Sequence, residues 1–158
     1  MINSDEFRRV MGNFATGITV VTTRDTEGQP CGVTVNSFTS VSLEPLLVLV
    51  CFDKRLSSLQ AFKNSKRFGI SMLSKDQEDL SRMFAKREAE RPLSLYFEGR
   101  LGMPLLRNSM AVMECETKDI YPGGDHLIFL AEVKYAEVLH AEEPLLYFRG
   151  KYRTLHAG

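Results

Sequence analysis

The sequence predicts a mainly β protein, a closed antiparallel barrel carrying a few short helices. Three observations lead there. Runs rich in β-branched and apolar residues recur at positions 18–23, 31–43, 46–52, 68–73, 110–118, 127–139 and 145–152, and such runs read as strands. Helical spacing appears only in short stretches between them. Strands and helices also fail to alternate regularly, which argues against a doubly wound parallel sheet.

Taken in order, residues 4–15 read as a helix, because Phe7, Val10, Met11 and Phe14 fall at helical spacing and Asp5 and Glu6 suit the positive end of its dipole. Gly17 interrupts, and the β-branched run at 18–23 follows. Gly28 and Pro30 mark a turn before the Val, Thr and Ser-rich stretch 31–43. After Pro45, the unbroken apolar run 46–52 suggests a strand buried on both faces. Residues 57–63 form the next expected helix, with Leu59 and Phe62 inward and Ser57 as its N-cap. Ser74 followed by Gln77 matches a capping box, so a helix to about Ala85 is expected there. Residues 86–94, charged and containing Pro92, read as a loop. The rest is strand.

A chain of 158 residues fits a single domain, 1–158. The composition, 44% hydrophobic and 25% charged, is that of an ordinary globular protein with one hydrophobic core. Twenty basic residues balance twenty acidic ones, so no net field attracts nucleic acid or anionic lipid. Cys31, Cys51 and Cys115 are widely spaced and odd in number, which gives neither a disulfide framework nor a Cys-x-x-Cys pair. With no basic, apolar leader and no apolar run near the roughly 18 residues of a membrane span, a cytoplasmic location and no membrane partner are expected.

Several chemistries are absent from the sequence. It has no phosphate loop of the G-x-x-x-x-G-K-[ST] type, no G-x-G-x-x-G turn and no G-x-S-x-G elbow. His126, His140 and His156 lack ligand spacing, so no metal site is expected. Three segments offer something positive. At 51–58 a strand ends, Lys54 and Arg55 follow, and Ser57 and Ser58 open a helix, which suits an anion; a plain Ser cap with solvated cations reads equally from the same residues. Residues 34–40 alternate small polar side chains with Val35 and Phe38, and could offer Asn36, Ser37 and backbone groups to the polar edge of a flat ring or form a solvated edge strand. Gly123 and Gly124 place His126 at the mouth of a strand, after a turn.

Together these segments resemble the short-chain flavin reductase family, whose members have a flavin-binding split-barrel fold. The likeness runs through residues 14–22, 34–42, 45–50, 124–126 and 144–152, in shared order and spacing. It implies a homodimer that binds FMN or FAD, takes hydride from NADH or NADPH, and in some members supplies reduced flavin to a separate monooxygenase. Residue by residue, it places Thr34, Val35, Asn36, Ser37 and Ser40 around the isoalloxazine ring. Cys51, Phe52, Asp53, Lys54, Ser57 and Ser58 would follow the ribityl chain and phosphate, and Phe84 and Ala85 would close over the cofactor. Phe14, Ala15, Thr16 and His126 would border the nicotinamide, with Tyr152 near them and His126 the residue closest to the chemistry. The stretch 53–58 varies among relatives, which leaves FMN against FAD open, and Arg87 or Arg91 could meet a 2′-phosphate or be solvated. The same barrel could also serve as a non-catalytic flavin- or haem-binding protein or a flavin electron carrier.

Overall fold

The computed structural model describes residues 1–87 and 90–156. Its centre is a seven-stranded antiparallel sheet made from β2 (Thr19–Arg24), β3 (Pro30–Val35), β4 (Phe38–Leu43), β5 (Leu46–Asp53), β6 (Arg67–Met72), β9 (Ala111–Gly123) and β10 (His126–Val138). The spatial order is β3-β2-β6-β9-β10-β5-β4. The two outermost strands, β3 and β4, are therefore neighbours in sequence, joined only by Asn36 and Ser37. Val35 and Phe38 are three Cα steps apart, roughly 11 Å at most, so the sheet must curl until its opposite edges nearly meet. The result is a barrel with an open seam. Hydrogen bonds fix each side of that seam to the next strand in: Thr19 Oγ1 donates to the Val35 carbonyl at 2.9 Å and Ser37 Oγ to the Cys51 carbonyl at 2.9 Å. The Cys51 N–H also donates to the Ser37 carbonyl at 3.2 Å.

Two smaller sheets flank the barrel. One joins β1 (Thr16–Gly17), β11 (Leu146–Phe148) and β12 (Lys151–Arg153); the other pairs β7 (Tyr96–Glu98) with β8 (Pro104–Leu106). The helices are α1 (Ser4–Met11), α2 (Leu59–Ser65) and α3 (Glu78–Ala85). No helix among the described residues is long and apolar enough to cross a membrane.

Several boundaries differ from the sequence reading, each for a local reason. Helix α1 stops at Met11 because the Asn13 side chain donates to the carbonyls of Arg9 and Val10, occupying the end of the helix. The stretch 31–43 is two strands, broken at Asn36-Ser37. The stretch 145–152 is a hairpin, since Arg149 and Gly150 take φ of 51° and 75°, the pair of positive values a tight two-residue hairpin turn requires. Helix α2 starts at Leu59, because Asp53 first closes a turn by accepting from the Arg55 N–H at 2.8 Å; Ser58, not Ser57, is the N-cap. The Ser74–Gln77 capping box forms, opening a 3₁₀ turn that runs into α3. The expected loop at 86–94 includes positions 88 and 89, which lie outside the described residues, and ends in a 3₁₀ turn at Leu93–Leu95.

The strand buried on both faces is β2, not β5. Val21 points into the barrel interior with Val48, Val50, Phe52, Phe62, Phe68, Ile70 and Phe129. Val20 points outward, into a second cluster with Leu73, Phe84, Leu106 and Leu145. The hydroxyls of Thr22 and Thr23, on opposite faces of β2, are buried as well but donate to the Pro104 and Arg67 carbonyls, as buried polar groups must. In β5, by contrast, Val48, Val50 and Phe52 are buried while the alternate residues are half-buried and Leu46 is exposed. Its apolar run packs one face into the barrel.

Aromatic rings fill the barrel centre. Phe52 stacks on Phe62 at 4.5 Å between centroids and meets Phe129 edge-on at 5.0 Å. On the other face of β9, under the turn between β7 and β8, lies a fully buried carboxyl group, Glu114, whose Oε1 accepts from the N–H groups of Leu101 and Met103 at 2.9 and 3.1 Å. Only a glycine fits beneath it: a Cβ on Gly99 would lie 2.4 Å from that oxygen. Phe129→Ala should cost about 3–5 kcal/mol of stability through the cavity it leaves. Urea unfolding followed by far-UV dichroism checks this, and a loss under about 1 kcal/mol would show that the ring does not organise the core.

Candidate functional site

Beside the seam the protein forms a groove of about 760 Å³. Its floor is Cys31, Gly32 and Val33 on β3; one wall is Asp53 and residues 55–58 with the start of α2; the other is Phe84 and Ala85 at the end of α3, with Lys86, Arg87 and Arg91 beyond. Gly32 is required by the packing beneath: a Cβ there would sit 2.8 Å from the Val21 carbonyl and 3.3 Å from the Phe84 ring. Phe84 can therefore lie down on the strand.

Two features suit this groove to an anionic ligand. The Ser58 hydroxyl makes no side-chain cap bond and is buried with no partner, and an unsatisfied buried hydroxyl is costly unless a ligand completes it. Cations line the same walls, but they are not equivalent. Arg55 is held bidentately by Asp53, at 3.1 and 2.9 Å. Arg91 is a strut, donating to the carbonyls of Gly32 at 3.2 Å and Lys86 at 2.8 Å while its guanidinium lies 4.6 Å over the Phe84 ring. Lys86 and Arg87 are exposed.

A second groove, about 410 Å³, lies at the other end of the seam and is lined by Phe14, Ala15, Thr16, Asn36, Phe38 and Leu145 among others. The Thr16 hydroxyl is buried and unpartnered. Val33 lines the first groove and Asn36 the second; three residues of extended chain, roughly 10 Å, separate them. Asn36 and Ser37 belong to neither flanking strand; the Ser37 carbonyl accepts from the Cys51 N–H, and the other backbone groups of the pair lie where a ligand's polar edge could use them.

His126 lines neither groove. It opens β10 directly opposite Asp53 in the β5 ladder, which puts both side chains on one face of the sheet. Its Nδ1 lies 2.7 Å from Asp125 Oδ1. The turn before it is fixed by the Lys54 N–H donating to the Asp125 carbonyl at 3.0 Å and by Gly124 at φ 67°.

Charges follow from these contacts. The hydrogen bonds from Arg55 hold the Asp53 carboxyl well below the usual carboxylate range, with His126 adding a smaller push. The bond to His126 lowers the Asp125 carboxyl. Burial pushes the Cys31 thiol up to about 11, reinforced by Asp25 and opposed by Arg91; burial also raises Cys51. Neither thiol is poised as a nucleophile. Among the described residues, no cluster of His, Cys, Asp or Glu could hold a metal ion.

Of the residues expected at the site, Asp53, Ser57, Ser58, Phe84 and Ala85 share the first groove, and Phe14, Ala15, Thr16 and Asn36 the second. Thr34, whose hydroxyl donates to the Ser81 carbonyl at 2.6 Å, and Ser37 lie along the seam between them. Val35 and Phe52 turn their side chains into the barrel core, so only their backbones face a ligand. Cys51 is tied to Ser37, Lys54 is exposed, and Ser40 is exposed on β4, lining neither groove. Tyr152 lines neither groove but shares the small sheet with Thr16, both being register partners of Tyr147; its hydroxyl bonds Ser81 at 2.8 Å and Arg82 lies 4.7 Å over its ring. Sequence reasoning missed Cys31, Gly32 and Val33 as the groove floor, and Lys86 as a wall. Gly32 inside a β-branched strand was the available signal, since an interior strand glycine marks close approach.

A small antiparallel barrel with an unpartnered hydroxyl and exposed cations in the groove at its open seam has the features that an elongated, anionic ligand would use. The chain belongs to the flavin reductase like domain family, whose model matches residues 11–156. Over 152 residues it is 36% identical to the reductase subunit HsaB of a flavin-dependent monooxygenase from Rhodococcus jostii, covering 96% of this chain and 77% of that protein. It is 42% identical to the NADH-dependent FMN reductase AsuE2 of Streptomyces nodosus subsp. asukaensis, covering 95% and 84%. Among solved structures, the NADH:FAD oxidoreductase SgcE6 of Streptomyces globisporus, in complex with NAD and FAD fragments, superposes with a TM-score of 0.91 at 37% identity, covering 99% and 97%.

The raised Cys31 thiol gives a check on the groove floor. At pH 8 its alkylation should be on the order of a hundredfold slower than that of the same cysteine in unfolded chain, and should accelerate as pH rises toward 11. Peptide mapping after timed iodoacetamide labelling reads this directly; a rate equal to that of the unfolded chain would contradict the placement.

Proposed function

We propose that the protein transfers hydride from NADH to FMN or FAD, with the flavin's planar ring along the seam and its phosphate in the first groove. The observation that carries this reading is the buried, unpartnered Ser58 hydroxyl in a groove whose walls also present Ser57, Lys86 and Arg87. A phosphate would complete Ser58 and accept from its neighbours. The relatives described as an NADH-dependent FMN reductase and an NADH:FAD oxidoreductase support the reaction and the donor. They also support either flavin.

When bound, the flavin supplies the two-electron acceptor for the nicotinamide's hydride. The chain's task is placement. Backbone groups of Asn36 and Ser37 would serve the ring's polar edge, where negative charge develops on reduction. Phe84 and Ala85 would cover the ligand's phosphate end. Phe14, Ala15 and Thr16 would border the nicotinamide in the second groove, with the unpartnered Thr16 hydroxyl available to a polar substituent. Bringing donor and acceptor atoms to about 3–3.5 Å is the main contribution such a site makes to rate. His126, at the start of β10, would orient a ligand rather than serve as a base.

A homodimer and a separate monooxygenase that consumes the reduced flavin complete the proposal. In favour of the first, α1 carries Phe7, Val10 and Met11 on an amphipathic helix that buries none of its residues in this chain. In favour of the second, the HsaB relative is a reductase subunit of a monooxygenase.

The reaction is tested by mixing purified protein with NADH or NADPH and FMN or FAD and following the nicotinamide absorbance. Catalytic loss with NADH is expected; no consumption in any of the four mixtures would overturn the proposal, and a flavin-binding protein inert to both donors would be a carrier. The phosphate position is tested separately. Replacing Ser57 and Ser58 together by Ala should weaken FMN about tenfold or more while changing riboflavin affinity little, because riboflavin lacks the phosphate. Equal weakening of both ligands in fluorescence titrations would displace the phosphate from this groove.

A further inference from the structure

The tip of the β11–β12 hairpin carries an arginine where the backbone disfavours one. Arg149 takes φ 51° and Gly150 φ 75°, the two positive values of a tight hairpin turn whose first residue is usually asparagine, aspartate or glycine. A residue with a long side chain is strained there, and strain that persists points to a task for that side chain. The Arg149 N–H donates to the Gly12 carbonyl at 2.9 Å, and its Nε donates to Asn13 Oδ1 at 2.9 Å. Its guanidinium lies 4.9 Å over the Phe148 ring, which keeps it in that direction. Asn13 in turn donates through Nδ2 to the Arg9 carbonyl at 2.8 Å. One side chain therefore joins the hairpin tip to the end of α1.

The chain that leaves this junction is a wall of the second groove. Phe14, Ala15 and Thr16 line it, and the Phe14 ring, 72% exposed, has little packing of its own to fix it. At the far end Thr16 pairs with Tyr147 and Gly17 with Leu146. The same hairpin thus holds this wall on both sides, through the β1–β11 ladder after it and through Arg149 before it. From this geometry we propose that Arg149 is a positioning residue for the reductase reaction: through Asn13 it sets residues 14–16, with the buried, unpartnered Thr16 hydroxyl, against the reduced nicotinamide in the second groove. This role rests on the hydride-transfer reading above.

Two variants break the contact from either side. Arg149→Asn gives the hairpin tip the residue its turn favours and removes the guanidinium; Asn13→Ala removes the acceptor. Each should raise KM for NADH about three- to tenfold with a smaller change in kcat, and leave FMN affinity in fluorescence titrations within about twofold. Each should also speed amide exchange at residues 12–14, whose N–H groups donate to the last carbonyls of α1. Because both variants remove one and the same bond, the double variant should be no worse than the poorer single one. A native KM for NADH in Arg149→Asn overturns the assignment, and so does an additive loss in the double variant. A fall in FMN affinity as large as the rise in KM makes Arg149 a general support of the fold, which also overturns it. If exchange at residues 12–14 quickens as expected but the native protein oxidises no reduced nicotinamide, the hydride-transfer reading fails, and with it the role proposed for Arg149.

Discussion

The structure depends on a short connection. Asn36 and Ser37 join the two edge strands of one seven-stranded sheet, and two residues cannot bridge opposite edges of an open sheet. The sheet must curl, its twist turns it into a barrel, and the junction is left as a seam because β3 and β4 meet there without pairing. Closure creates the core in which Phe52, Phe62 and Phe129 pack. It also creates the site, since a seam is where backbone polar groups stay outside the ladders while strands on either side hold them rigid. Fold and binding geometry have one origin.

Around that seam, sequence assigns the walls different tasks. On one side Gly32 lets Phe84 lie against β3, and Arg91 locks the arrangement by donating to carbonyls of both segments. On the other, Asp53 closes the turn before α2 and binds Arg55, so a carboxylate in the groove is already neutralised before any anion arrives. What remains available is Ser57, Ser58, Lys86 and Arg87. The neutral overall charge of the chain therefore coexists with a locally cationic groove.

Much of this was legible in the sequence. The main strands of the barrel, the short helices and the Ser74–Gln77 capping box follow from local pattern. So did the pairing of Ser57 and Ser58 with nearby cations, and the family likeness. Other features were not, for reasons of tertiary packing. Residues 46–52 look like a doubly buried strand, yet β2 holds that place, because burial of the second face depends on α3 and β8 lying over β2, which no local pattern encodes. Arg91 reads as a surface cation until the carbonyls it reaches, nearly sixty positions away at Gly32, are brought beside it. The grouping of candidate residues into two grooves was likewise invisible, since it is set by how far along the seam each strand delivers its side chains.

The central claim is that the seam holds the flat ring of the flavin. Amide hydrogen exchange with and without FMN measures that directly. The account predicts slowed exchange concentrated at residues 31–37 and at the start of α2, with the remote β7–β8 hairpin unchanged. Flavin binding that protects amides elsewhere while residues 31–37 exchange as before would contradict it.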